Sequence, residues 1–474
     1  MDDMQKDEKI GTENDLNLED QNQRMNKKIS VSLILKSLGP GLVTGASDDD
    51  PSGIATYSQA GTQFGFGMLW LALFQYPLMT VIQEMCARIG LITGDGLNSV
   101  IRKKYSKKIV LPLTSLLLIA NTINIGADIG AMASSVKLVF PQFPIIWATF
   151  CFTAFIIATQ ILVPYNKYVR ILKYLTLSLF AYIITAAVVG GSWHQLLVSS
   201  VIPHIEFTPA FAMMFVAILG TTITPYLFFW QASQEAEENV DKGKIQEISQ
   251  DGQEGKSAAG GGSIVIKSSN KKPEVSKKEV KMMRLDTAIG MAFSQIIMWA
   301  IITTTAGSLH AHNVTNIQTA DQAAKALGPL VKSFRYAGQI AKIIFSLGII
   351  GTGLLAIPVM AGSSAYALSD IFGWKQGLYK NFKQAKAFYF VIAASTIIGL
   401  WINFSNIDPI KALVYAAVIN GVVAVPLLIA VMRIANDKSI LKEKINGRLS
   451  NIIGWTTVAT MGFSVVVMFA TWGH

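Results

Sequence analysis

Apolar runs of about 20 residues recur from near residue 36 to the C-terminus of this 474-residue chain. A run of about 20 apolar residues, coiled as a helix, is long enough to cross the hydrocarbon core of a bilayer. Only 15% of the residues are charged and 51% are hydrophobic, which excludes an ordinary soluble domain. The sequence therefore predicts an all-α polytopic membrane protein whose main surroundings are the lipid bilayer.

Eleven spans are predicted. They cover residues 36–58, 66–90, 109–136, 145–163, 172–191, 209–233, 284–308, 337–366, 386–403, 409–433 and 451–472. Most Lys and Arg residues fall in connecting segments on the same side as the N-terminus, and the positive-inside rule places that side in the cytoplasm. We therefore expect a multi-pass protein of the cell membrane. Residues 1–35 are predicted to form a disordered cytoplasmic tail, and the C-terminus is predicted to be extracellular.

The net charge of +10 is explained by these cytoplasmic segments, so we expect no nucleic-acid partner. The longest loop, 234–283, is rich in Gly, Ser and Lys and is predicted to be a flexible cytoplasmic linker. The cysteines, Cys86 and Cys151, lie in apolar runs and indicate no disulfide framework. No nucleophile and base stand at catalytic spacing, so neither an enzyme nor a cofactor is expected. The oligomeric state stays open, and a monomer is plausible.

Three consecutive aspartates, Asp48, Asp49 and Asp50, interrupt the first span. A carboxylate inside a membrane is unfavourable and therefore indicates function by default. Pro51 follows directly and prevents a regular helix at this point. A helix broken beside acidic groups is how secondary transporters build cation sites. The alternative is a surface loop in which the aspartates only cap the next helix.

A second break stands at the matching place in the other half of the chain. Span 6 contains Gly220 to Tyr226, with Pro225 inside it. Five spans precede span 6 and five run from 6 to 10, which divides the chain into a first repeat, 36–191, a second repeat, 209–433, and a last span, 451–472. Two interrupted spans in corresponding positions point to a transporter site between inverted repeats.

These two breaks resemble the motifs of the NRAMP family of divalent-metal transporters. The resemblance rests on Gly39-Pro40-Gly41 with Asp50-Pro51-Ser52-Gly53, and on Thr224-Pro225-Tyr226. It implies a LeuT-type fold, with two inverted five-helix repeats plus an eleventh helix. It also implies transport of Mn²⁺ or Fe²⁺ together with protons.

The motifs also depart from the family pattern. The family usually has Asp-Pro-Gly-Asn at the first break, and here Gly53 replaces the Asn ligand. It usually has Met-Pro-His at the second break, and here Thr224 replaces the Met ligand and Tyr226 the His. Gln231 stands where a further family histidine is expected. These departures resemble a magnesium-transporting branch related to the family.

Asp50 is the predicted ligand of the ion, faced by the Thr221 carbonyl and the Thr224 hydroxyl. Oxygen ligands suit Mg²⁺ and Mn²⁺, and loss of bulk at Gly53 should leave room for the water that Mg²⁺ retains. Mg²⁺ is therefore the predicted substrate, with Mn²⁺ also accepted. The other candidate site residues contribute an oxygen, field strength or space near the breaks: Asp48, Asp49, Gly53, Tyr226 and Asn420. For Asn420, helix packing is the alternative role.

Transport is predicted to be uncoupled from protons, because no histidine lies within a span. Glu84 and Asp128 could be relay groups, or they could form structural hydrogen bonds between helices. His310 and His312 stand in an outer loop, where a metal site is not expected. Two alternatives stay open: a proton-coupled Mn²⁺/Fe²⁺ transporter, and a divalent-cation channel.

Overall fold

The computed structural model describes residues 39–163, 175–189, 192–241, 273, 275–404 and 408–471. All regular secondary structure in these residues is helical. The predicted tail, 1–35, and the central part of the predicted linker lie outside the described residues. The tail therefore stays a prediction, and so does the linker over residues 242–272.

The helices are, in chain order, α1 Pro40–Asp48, α2 Pro51–Phe64, α3 Trp70–Thr93, α4 Leu97–Lys104, α5 Lys107–Val139, α6 Ile145–Leu162, α7 Phe180–Val189, α8 Trp193–Val201, α9 Pro209–Thr222, α10 Pro225–Asp241, α11 Lys277–Ser308, α12 Ala320–Lys325, α13 Gly328–Val331, α14 Ala337–Phe372, α15 Lys386–Ile402, α16 Pro409–Ala435, α17 Lys438–Leu441 and α18 Arg448–Thr471. Short 3₁₀ turns occupy Gly65–Met68, Leu175–Leu179, His310–His312 and Lys442–Lys444.

Local sequence explains where several of these helices begin. Proline occupies the first position of α2, α9 and α16, where its missing N–H leaves no intrahelical bond unmade. Thr208 caps α9 by accepting from the Phe211 N–H at 3.2 Å. A capping box of Ser276 and Glu279 begins α11. The helix ends therefore correct the predicted linker, 234–283, because α10 continues to Asp241 and α11 begins at Lys277.

Seven helices in the described residues are long and apolar enough to cross a membrane, or up to nine if each bent pair counts as one span. One bent pair joins Pro51–Met68 to Trp70–Thr93 at 107°, and the other joins Leu177–Val189 to Trp193–Val201 at 117°. Lys386–Ile402 is a shorter apolar helix. The count of eleven stays a prediction, and α8 lies in a segment for which no helix was predicted.

Close glycine contacts pack the broken first span against α11. A Cβ on Gly45 would lie 2.2 Å from the Gly290 carbonyl oxygen, so the two backbones touch at this point. The Gly41 N–H donates to Asp286 Oδ2 at 2.7 Å in the same contact. Small residues allow such approach between membrane helices. The outcome is that α1 and α2 lie inside the helical assembly, with the acidic break between them buried.

Candidate ion site at two helix breaks

Both predicted breaks are present in the described residues. The first separates α1 from α2, and Asp50 there has extended backbone, with φ −68° and ψ 173°. The second separates α9 from α10 at Ile223 and Thr224, and Ile223 has φ −109° and ψ 60°. Pro51 and Pro225 each begin the helix that follows. Each break leaves helix-terminal polar groups free for other partners.

Asp50 caps α2 and also contacts helices far away in sequence. Its Oδ1 accepts from the Gly53 N–H at 2.7 Å and from the Ser52 hydroxyl at 2.6 Å. Its Oδ2 accepts from Asn124 Nδ2 of α5 at 3.0 Å. Asp50 therefore does cap α2, as the surface-loop alternative proposed. That alternative is wrong in placing the break at the surface, because only 2% of Asp50 is exposed.

Tyr226 connects the second break to the first. Its hydroxyl donates to the Ser47 carbonyl at 2.9 Å and lies 3.5 Å from Asp50 Oδ2. The side chain is 1% exposed. Tyr226, one of the predicted site residues, therefore brings the first turn of α10 directly against Asp50.

Asp48 and Asp49 turn towards α11 rather than towards the partners of Asp50. Ser294 Oγ donates to Asp48 Oδ2 at 2.5 Å and lies 3.3 Å from Asp49 Oδ1. Both aspartates are 0% exposed. The second oxygen of each, Asp48 Oδ1 and Asp49 Oδ2, has no hydrogen-bond partner among the described residues. Each aspartate therefore keeps one buried oxygen that no described group has bonded, on residues that contact α11 and not the partners of Asp50.

The threonines of the second break differ in their hydrogen bonding. Thr221 donates from its hydroxyl to the Ile218 carbonyl at 3.0 Å and lies 3.2 Å from the Tyr57 hydroxyl. Thr224 Oγ1 is buried, and the described part of the chain offers it no partner. Of these two threonine hydroxyls, that of Thr224 is therefore the one that no described group occupies.

Gly53 and Asn420 give two different outcomes. A Cβ on Gly53 would meet the Tyr57 ring at 3.3 Å, so the room expected there for water is largely filled by that ring. That expectation was wrong at this position. Asn420 Oδ1 is buried without a partner in the ranges the structure describes. The neighbouring Gly421 packs closely on Gly220 of α9, so both roles suggested for Asn420 stay possible.

Sequence reasoning missed Asn124 as an Asp50 partner, and it missed Met360. Asn124 Nδ2 lies 2.9 Å from Met360 Sδ of α14 as well as 3.0 Å from Asp50 Oδ2. Both side chains are 0% exposed. An asparagine in an apolar run is a usable signal, since buried amides bond across membrane helices. Met360 carried no signal, because methionine is an ordinary apolar residue in a span.

The two possible relay acids have different surroundings. Glu84 pairs with Arg88 at 3.0 Å and with Arg284 at 2.8 Å, so its contacts are structural ion pairs. Asp128 is 0% exposed, and neither of its oxygens has a partner among the residues described. It lies one turn from Asn124, the Asp50 partner, on α5.

No group of three or more His, Cys, Asp or Glu side chains in the described ranges is arranged to hold a metal ion. Of the outer histidines, His310 Nδ1 lies 2.9 Å from the Thr62 carbonyl, and both His310 and His312 are exposed.

Comparison with known proteins gives a consistent result over nearly the whole chain. The family model Nramp, described as natural resistance-associated macrophage protein-like, matches residues 41–471. The divalent metal cation transporter MntH of Erwinia tasmaniensis is 23% identical over 457 residues, covering 94% of this chain and 96% of the relative. The MntH of Caldanaerobacter subterraneus subsp. tengcongensis is 23% identical over 445 residues, covering 90% of each.

Solved structures resemble the fold at low identity. The Eremococcus coleocola manganese transporter has a TM-score of 0.68 at 15% identity, covering 93% of this chain and 86% of that one. MhsT in complex with L-phenylalanine has a TM-score of 0.57 at 9% identity, covering 92% and 98%.

Fold and comparisons together define a multi-pass membrane transporter for divalent metal ions with a LeuT-type all-helical fold. The chain belongs to the Nramp family. The resemblance to a magnesium-transporting branch is not supported by these comparisons, because the relatives are named as transporters of divalent metal cations in general.

Proposed function

We propose that this protein carries Mn²⁺ across the membrane by alternating access, with the ion bound at the two helix breaks. The observation that carries the proposal is a buried carboxylate, Asp50, held between the broken first span and Tyr226 of the broken sixth. The relatives transport divalent metal cations by name and a transporter of similar fold is named for manganese, which favours the proton-coupled Mn²⁺/Fe²⁺ alternative over the predicted Mg²⁺ preference.

The proposed ligands are Asp50, the Thr221 carbonyl and the Thr224 hydroxyl. The Thr224 hydroxyl supports this set, because it is buried without a partner among the described residues and is unfavourable until something binds it. Carboxylate, carbonyl and hydroxyl oxygens are donors that Mn²⁺ accepts. Asp48 and Asp49 would add negative potential from the side of α11.

Mg²⁺ is the second candidate, and one observation favours it. Gly53 and Thr224, which replace the Asn and Met ligands of the family, carry no amide or sulfur ligand. The remaining oxygen donors suit Mg²⁺ as well as Mn²⁺. Uptake of Mg²⁺ therefore belongs in the same experiment as uptake of Mn²⁺.

Proton coupling is the second open question. The predicted uncoupling has no support from the comparisons, and the environment of Asp128 favours the coupled alternative. A buried carboxylate without a cationic partner among the described residues is the type of group that carries protons through membranes. Without coupling, a membrane potential of 100 mV would still supply about 4.6 kcal/mol to a divalent ion moving inwards.

Two cavities are lined in part by the helices that follow the breaks, and alternating access would open such cavities towards the ion. A cavity of about 390 Å³ is lined by Gln59 of α2 and by Ile317 and Lys411. Another of about 220 Å³ is lined by Glu237 of α10 and by Asp370. The carboxylates at the breaks line neither cavity and are closed to solvent in this conformation.

The test is uptake into proteoliposomes with fluorescent indicators for Mn²⁺, Mg²⁺ and Ca²⁺. We expect Mn²⁺ influx by the wild type and none by Asp50→Ala or by empty liposomes. A pH dye trapped inside reports coupling: acidification in step with Mn²⁺ entry supports the coupled form, and Asp128→Asn should then abolish it. No Mn²⁺ influx by the wild type would refute the main proposal, and influx of Mg²⁺ alone would establish the second candidate instead.

A further inference from the structure

The amide nitrogen of Asn124 lies between two atoms that can accept a hydrogen bond but cannot donate one. Its Nδ2 is 3.0 Å from the Asp50 Oδ2 carboxylate oxygen and 2.9 Å from Met360 Sδ. Both contacts are fully buried. Because a carboxylate oxygen and a thioether sulfur can only accept, the NH₂ group must face them and the amide oxygen must point elsewhere.

Asn124 Oδ1 is the atom left over by this arrangement. It is buried and has no partner in the part of the chain that the structure describes. A buried amide oxygen without a partner is unfavourable, and such groups in folded proteins call for an explanation. A rotation about the last side-chain torsion would exchange the oxygen and the nitrogen without moving the backbone.

The NH₂ group presents positive hydrogens to the same two atoms that a cation would contact. From this we infer that the Asn124 NH₂ group occupies the position of the ion until an ion enters. The Asn124 amide then rotates so that its oxygen and nitrogen exchange places, and Asp50 Oδ2, Asn124 Oδ1 and Met360 Sδ bind the ion together. This inference rests on the proposed function and names two further ligands of the same site. It needs no proton transfer and no other group.

Met360 would therefore add a soft sulfur donor to a site for which the sequence motifs predict only hard oxygen ligands. Thr224 removes the sulfur expected at the second break, and Met360 returns a sulfur from α14. A thioether is a soft donor that favours a soft ion such as Cd²⁺ over Mg²⁺ and Ca²⁺, which prefer oxygen, while Mn²⁺ gains less from it. Met360 is therefore a specificity-determining residue that α14 contributes to the site.

The experiment measures the affinity of the purified full-length protein for Mn²⁺, Cd²⁺, Mg²⁺ and Ca²⁺ by calorimetry. Met360→Leu keeps the volume and removes the sulfur. The matched control is Met432→Leu, since Met432 is also 0% exposed but packs on Gly454, away from the breaks. We expect Met360→Leu to weaken Cd²⁺ binding about 10- to 100-fold. Mn²⁺ binding should weaken less and Mg²⁺ binding little, and Met432→Leu should change none of them.

A second readout does not depend on comparing affinities. X-ray absorption at the Cd edge of Cd²⁺-loaded protein should show a sulfur neighbour in the wild type and in Met432→Leu, and oxygen or nitrogen neighbours alone in Met360→Leu. Selenomethionine-substituted protein that folds as wild type should show selenium in place of that sulfur.

Three outcomes decide the inference. An equal change for all four ions in Met360→Leu, or an absorption spectrum with no sulfur neighbour in the wild type, overturns it and leaves the proposed function standing. No binding of any divalent ion by the wild type overturns both. A selective loss of Cd²⁺ together with loss of the sulfur neighbour supports it.

Discussion

Replacing Asp50 by asparagine separates its capping role from its role as a charged ligand. Asparagine caps helices about as well as aspartate, so the bonds to the Gly53 N–H and the Ser52 hydroxyl can be kept. The new NH₂ group would face Asn124, whose own amide can turn over and accept from it, because Asn124 Oδ1 has no other partner among the described residues. We therefore expect the free energy of unfolding to change by less than about 1 kcal/mol.

Asp50→Asn should weaken Mn²⁺ binding much more than it lowers the free energy of unfolding. Removing one charge of a buried, hydrogen-bonded charge pair lowers binding by about 2–5 kcal/mol, which is about 30- to 3,000-fold in the dissociation constant for Mn²⁺. Asp50→Ala is the contrasting variant. It removes the cap and leaves buried donors of Ser52, Gly53 and Asn124 unpaired, so it should also destabilise the protein by about 2–5 kcal/mol.

The assay combines Mn²⁺ affinity by calorimetry, Mn²⁺ uptake in proteoliposomes and the melting temperature of each variant in the same detergent. Asp50→Asn should melt near the wild type and fail to bind or transport, and Asp50→Ala should fail in all three. Wild-type uptake by Asp50→Asn would refute the ligand role. A melting temperature of Asp50→Asn as low as that of Asp50→Ala would refute the reasoning about the cap.

Three further predictions concern packing and charge away from the ion. Gly45→Ala would place a methyl group 2.2 Å from the facing Gly290 carbonyl oxygen and should lower the free energy of unfolding by about 1–3 kcal/mol. The control is Gly338→Ala at an exposed position with nothing within 4 Å, which should leave stability unchanged. Equal melting temperatures of the two variants would contradict this packing argument. Glu84→Gln should lower the melting temperature and leave Mn²⁺ uptake per folded protein unchanged; loss of uptake at normal stability would make Glu84 a relay group instead. Lys104 holds the pKa of Asp437 at about 2, below its unfolded value near 4, so this pair stabilises the fold above pH 4 and loses its effect as the pH falls towards 2. Asp437→Asn should therefore cost less than about 1 kcal/mol at pH 7, and nothing at high salt; a loss that salt does not reduce would contradict the surface ion pair.

Local chemistry made much of the fold predictable. Proline removes a helix donor wherever it stands, so Pro51 and Pro225 mark the starts of α2 and α10 directly in the sequence. Apolar run length likewise indicates long membrane helices such as α5 and α14. Helix α8 was missed because a short helix in a connecting segment leaves no run of membrane length. The end of α10 was missed because its last turns are polar and resemble a loop.

The candidate site was predictable only in part. An acidic side chain inside an apolar run is unfavourable on its own terms, so the sequence by itself marks Asp48, Asp49 and Asp50 as functional candidates. Which of them faces which helix depends on side-chain directions at a point where the backbone is irregular, and no periodicity applies there. Only the packed structure separates Asp50, facing Asn124 and Tyr226, from the other two, which face Ser294.

The sequence by itself determined that this protein is a membrane transporter with two broken helices, because proline, glycine and buried charge act through local physics. The tertiary structure decided which atoms surround the ion path. Asn124 and Met360 lie more than 200 residues apart, and helix packing alone brings them together beside Asp50. A methionine in an apolar run has no pattern that distinguishes a core residue from a metal ligand, so its proximity to a carboxylate had to be seen in the fold.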